Sequence, residues 1–153
     1  MNATNDNRQI IPGLLPEVQA NIDRTGQHVF GIFGGPGGGD GWFYTIGNAN
    51  LGLPELLLVG SFPPDLGMRI MNDLGAKMRE DRAALPEGLL DIGWSFPFKV
   101  RKAGSDVRDR FTIQAGQYLG HENYDVLQVM ICDKHGRYPG DAGCDERFNV
   151  EMP

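Results

Sequence analysis

The sequence predicts a single α+β domain: a mostly antiparallel sheet of five to six strands with two main helices packed on it. Three observations carry that expectation. Several short segments alternate apolar and polar residues with a period of two, two others carry apolar stripes at helical spacing, and the gaps between strands rarely have room for a crossover helix. A chain of 153 residues suits one hydrophobic core. No repeat or second domain is visible, so residues 1–12 read as a flexible tail and 13–153 as the domain.

Leu15, Val18 and Ile22 recur at helical spacing, Pro16 suits a first turn and Gly26 a left-handed C-terminal cap, which predicts a helix over 15–25. His28, Phe30 and Ile32 then alternate with Val29, Gly31 and Phe33, and Trp42, Tyr44 and Ile46 with Phe43, Thr45 and Gly47, giving two strands expected to pair. The glycine-rich segment 34–41 between them is expected to be a mobile tip, a lid or a binding edge. It lacks the Lys-Ser/Thr pair and the following helix that a phosphate-cradling loop requires. The unbroken run Leu56-Leu57-Leu58-Val59 predicts a central strand covered on both faces.

Pro63-Pro64 open a second helix with the stripe Leu66, Ile70, Leu74 and Met78, in which Gly67 and Gly75 imply a close approach of backbone to sheet. Phe96, Phe98 and Val100, then Val107, Asp109, Phe111 and Ile113, predict a hairpin turning at Ala103-Gly104-Ser105-Asp106. Its solvated face would carry Lys99, Arg101, Lys102, Arg108 and Arg110. The last strand, Tyr124 to Cys132, puts Val126, Gln128, Met130 and Cys132 on one face.

Composition excludes some function classes. A net charge of −6 opposes approach to a phosphate backbone, so no nucleic-acid partner is expected. Leu56 to Val59 is the longest apolar run, far short of the roughly 20 residues of a membrane helix. The polar start, Met1 to Gln9, has no secretory pattern, and Cys132 and Cys144 are too few for a disulfide framework; free thiols in a cytoplasmic protein are expected.

Polar residues within apolar strands carry the most information about a site. Thr45, Glu55 and Gln128 are candidates to line a ligand pocket, or else to satisfy one another in a network that fixes strand register. Asp133 and His135, two apart beyond the last strand, are candidate catalytic residues with Glu55, and with His121 or Glu55 they would suit a metal. His121-Glu122 is not followed by a second His three residues on, so neither metal nor cofactor is expected, and Asp133-Lys134-His135-Gly136 reads equally as a hairpin turn. A nucleophile would be Cys132 or Thr45, with His135 or His121 as base.

Phe43-Tyr44-Thr45-Ile46-Gly47, Leu53-Pro54-Glu55-Leu56 with Gly60, Met71-Asn72, and Val126-Leu127-Gln128 running to Asp133-Lys134-His135-Gly136-Arg137-Tyr138-Pro139 form an ordered set of motifs. In that order and separation they resemble the bacterial family catalogued as domain of unknown function 4262. Asn48, where that family usually has an apolar residue, and Gly140, where an aromatic commonly follows the proline, depart from the pattern. The resemblance implies architecture and compartment and supplies no reaction.

A Thr-x-Gly strand ahead of a Glu-Leu strand and a helix is also similar to the suppressor-of-fused-like domains of bacterial immunity proteins, which implies a chain that binds another protein. The expected function is therefore a non-enzymatic protein-interaction or regulatory domain, immunity-like or borne by a phage or mobile element, with another protein or a second copy as partner. The alternative is a small hydrolase or ligand-binding enzyme using Glu55, Asp133 and His135.

Overall fold

The computed structural model describes residues 14–33, 41–150 and 152–153; the expected tail over 1–12 and nearly all of the glycine-rich segment 34–41 lie outside the described residues. Helix α1 (Leu14–Thr25) leads into strands β1 (His28–Ile32), β2 (Trp42–Ile46) and β3 (Glu55–Val59). Helix α2 (Pro64–Asp81) follows, then β4 (Gly88–Leu90), β5 (Phe98–Lys102), the short helices α3 (Ser105–Phe111) and α4 (Ile113–Leu119), and β6 (Val126–Met130). The strands form one sheet in the order β1-β2-β3-β6-β5-β4. Every pairing is antiparallel except β3 with β6, where Glu55 lies opposite Val126 and Leu57 opposite Gln128.

The α+β fold and its mostly antiparallel sheet agree with the sequence expectation, and β3 is central and buried along its whole length. On one face α2 lays Ile70, Met71, Leu74 and Met78 against Phe43, Leu56, Leu58 and Val129. On the other, Val18, Val107 and Ala115 cover Tyr44, Ile46, Leu57 and Val126. Each fully buried Leu of β3 contributes about 2 kcal/mol of transfer free energy, which makes this strand the spine of both cores. Among the described residues no helix is long and apolar enough to cross a membrane.

The expected hairpin after Phe98 is a correction. Residues 105–111 are helix, and β5 pairs instead with β4 and β6. Asp106 in the first turn and Arg108 and Arg110 in the last suit the helix dipole, while Val107 and Phe111, one turn apart, face the core. Over seven residues that spacing passes for alternation. Crossover helices are expected to be rare, and β3 and β6 are the one parallel pair: α2, β4, β5, α3 and α4 all lie between them in the chain. β4 escaped notice because it has three residues, of which only Leu90 is buried.

The glycines of α2 mark close backbone approach, as expected. A Cβ on Gly67 would stand 2.5 Å from the ring of Phe43, itself 2 % exposed. Gly67→Ala gains about 1 kcal/mol of helix propensity but forces helix and sheet apart, for an expected net loss of about 2 kcal/mol in urea unfolding.

Candidate functional site

The turn between β2 and β3 builds the most polar buried position in the described chain. Gly47, at φ 121, reverses the backbone where a Cβ would meet the Gly26 carbonyl at 2.9 Å, and residues Asn48–Leu51 then form a single 3₁₀ turn. Glu55 opens the next strand, and its side chain reaches back into this turn. One carboxylate oxygen accepts the Thr45 hydroxyl at 2.7 Å and the Asn48 amide at 3.3 Å; the other accepts the amides of Gly47 at 3.0 Å and Ala49 at 2.9 Å. Burial nevertheless pushes the carboxyl up to about 7, against the pull of these four donors.

Thr45 joins this cage directly. Its hydroxyl gives its proton to Glu55 and accepts from the Leu56 amide at 2.8 Å and from Asn48 Nδ2 at 3.2 Å. With its proton committed and its side chain fully buried, Thr45 has no free approach for a substrate. Gln128 stands on β6 and accepts from Arg101 Nε at 3.1 Å; neither Thr45 nor Glu55 bonds to it.

The network continues through residues that sequence reasoning missed. Asn48 Nδ2 donates to Gln27 Oε1 at 2.9 Å, and Arg79 Nη1 donates to both Gln27 Oε1 at 2.7 Å and Asn48 Oδ1 at 2.8 Å. Gln27 Nε2 in turn reaches the Met71 carbonyl at 3.1 Å and Asn72 Oδ1 at 3.3 Å. Two signals pointed here: Asn48, at a position where the resembled family usually has an apolar residue, and Gly75 one turn before Arg79. A Cβ on Gly75 would sit 2.0 Å from Gln27 Oε1. Burial lowers the Arg79 guanidinium from its usual value and the Glu55 charge raises it.

Asp133 and His135 are not brought to this network. Glu55 is level with Val126 at the start of β6, whereas Asp133 lies three residues beyond Met130, where that strand ends. Asp133 organises a turn: Oδ1 accepts the amides of His135 and Arg137, each at 2.9 Å, and Oδ2 accepts that of Asp145 at 2.8 Å. Desolvation works against its charge, but the Arg137, Asp145 and His135 amides hold the carboxyl below its usual value. Gly136, at φ 76, closes the turn and His135 stands exposed at its tip. Asp133→Ala should therefore speed amide exchange at Arg137 and Asp145, with β3 and β6 unaffected.

The remaining candidates are also occupied locally. His121 is exposed, and its Nδ1 accepts the amide of Asn123 at 3.0 Å. Both cysteines are free and half-buried. Desolvation and the charges of Asp133, Asp141 and Asp145 push the Cys144 thiol up, away from a reactive thiolate. Cys132 lies beside Tyr138, whose hydroxyl is pushed up to about 12 by burial and by that thiol. Among the described residues no three His, Cys, Asp or Glu side chains converge on a metal position.

Among the clefts on the described surface, two lie beside this network or at the head of the central strands. One, of about 450 Å³, lies by Leu53, Leu85, Lys102 and Tyr124 at the head of β3 and β6. The other, of about 490 Å³, lies between α1, β1 and α2, with Gln27 and Arg79 of the Glu55 network in its wall.

A six-stranded α+β sheet with a caged carboxylate at the head of its central strand defines a small globular domain with a buried polar core. The profile of a domain of unknown function (DUF4262) matches residues 21–145, so the chain belongs to that family. No curated protein and no solved structure is significantly similar to it.

Proposed function

We propose that the chain is a non-enzymatic regulatory domain that acts by binding another protein, in the cytoplasm of a bacterium or of a cell infected by a phage. One observation carries the non-enzymatic part: the two carboxyl candidates are spent on structure, and they lie toward opposite ends of β6. Both oxygens of Glu55 are saturated by four donors, both oxygens of Asp133 close a turn beyond the far end of β6, and His135 has no carboxylate partner among the described ion pairs. A hydrolase needs such groups within hydrogen-bond reach of one reacting atom.

The binding part draws support from the sheet edge. Among the described residues β1 has a strand neighbour on one side only, and Phe33, just past its end, is 63 % exposed. The free cysteines fit a reducing compartment, and the weaker resemblance to immunity domains fits a protein partner.

The test is native mass spectrometry of the chain isolated from its own cells without chelator. The expected spectrum contains a stoichiometric second protein, or a second copy of the chain. A retained metal that Asp133→Ala or His135→Ala removes would overturn the reading in favour of the enzyme.

A further inference from the structure

The cleft between α1, β1 and α2 has an apolar part, Val29, Met68 and Ala76, and a polar part in which Arg24, Asn72 and Arg79 supply hydrogen-bond donors. Arg79 is half-buried there and in ion-pair contact with no carboxylate among the described residues; its Nη1 is taken up by Gln27 and Asn48. Its Nε and Nη2 have no protein acceptor and are not sealed from solvent. That leaves the fork edge of a guanidinium, the edge that binds oxyanions with two parallel hydrogen bonds.

Its neighbours continue the pattern. Arg24 Nη2 donates to Asn21 Oδ1 at 2.5 Å, which fixes that amide and turns its Nδ2 toward His28 Nδ1 at 2.9 Å. His28 therefore carries its proton on Nε2 and is a donor at the free position. Asn72 spends its oxygen on Gln27, which leaves its Nδ2 as a donor. Glu17 is the one carboxylate in the wall, against two arginines, on a chain whose net charge is −6. A local excess of donors and positive charge on an acidic protein is the complement of an anion. At about 490 Å³ the cleft is in the size range of small-molecule sites.

We propose that this cleft binds a small oxyanion, a carboxylate or phosphate group held by the Arg79 fork with Asn72 and His28 as flanking donors, and that it is the effector site of the domain. This rests on the regulatory reading above for its role but not for its existence: a chain with a protein partner and no anion site, and the reverse, are separate outcomes.

The test is a titration of the ¹⁵N-labelled full chain, followed by amide shifts, with inorganic phosphate and separately with succinate at constant ionic strength, sodium chloride serving as reference. Saturable shifts centred on Gln27, His28, Asn72 and Arg79 are expected with at least one probe, and the probe that saturates distinguishes phosphate from carboxylate. Arg79→Lys should weaken that binding at least tenfold, because an ammonium loses the fork. Should Arg79→Lys disturb the fold, Asn72→Ala, at an exposed position, should still weaken binding about threefold. Shifts that match chloride, that centre elsewhere, or that are unchanged by both substitutions would overturn the site.

Discussion

Glu55→Ala is expected to lower the unfolding free energy by about 4 kcal/mol at pH 8, read from urea denaturation. The substitution leaves three backbone amides and the Thr45 hydroxyl without their acceptor inside the fold, and it opens a cavity at the head of the central strand. The damage should spread. Asn48 is anchored both to Glu55 and to the Gln27–Arg79 pair, so the 3₁₀ turn and the packing of α2 loosen together. A catalytic carboxylate behaves differently, since its removal commonly leaves a fold as stable as before or more so.

The stability of the protein should also depend on pH through this one group. The Glu55 carboxyl is raised from an ordinary 4.5 to about 7 by burial, so between those values the folded state binds a proton that the unfolded state has released. The stabilisation contributed by that proton is fully present below pH 4.5 and is lost as pH rises through 7. At about 1.4 kcal/mol per pH unit the loss amounts to about 3 kcal/mol. Measured as wild type minus Glu55→Ala, which cancels the lowered carboxyls of Asp133 and Asp145, the advantage of the wild type should shrink from pH 4.5 to 7.5 and be flat above.

Much of this fold was legible because its strong elements are amphipathic or uniformly apolar. α2, β3 and β6 announce themselves by period or by run, and Gly67 and Gly75 by their cost inside a helix. The segment 105–111 was misread because seven residues hold less than two full helical turns, too few for Val107 and Phe111 to separate a helical from an alternating pattern. The parallel contact of β3 with β6 is a long-range pairing with no local signature, since all of the chain from 60 to 125 intervenes.

The site was legible in part. A carboxylate beside an apolar run must find partners, and Thr45 and Glu55 do meet. Their joining depends on the turn between two adjacent strands, so it is nearly a local property. Arg79 and Gln27 stand 52 residues apart and are joined only by the docking of α2 across β1 and β2, which no spacing rule anticipates. Asp133 and His135 illustrate the converse: neighbours in sequence, they serve a turn, and the parallel register of β6 carries them away from Glu55.

Glu55 is sealed inside the fold as a structural acceptor, out of reach of any substrate. A ¹³C NMR titration of the Glu55 side-chain carboxyl in the intact protein measures this directly. A midpoint near 7 is the result expected of a caged, desolvated carboxyl. A midpoint at 4.5, the value of a carboxyl open to water, would contradict the cage and return Glu55 to the candidates for chemistry.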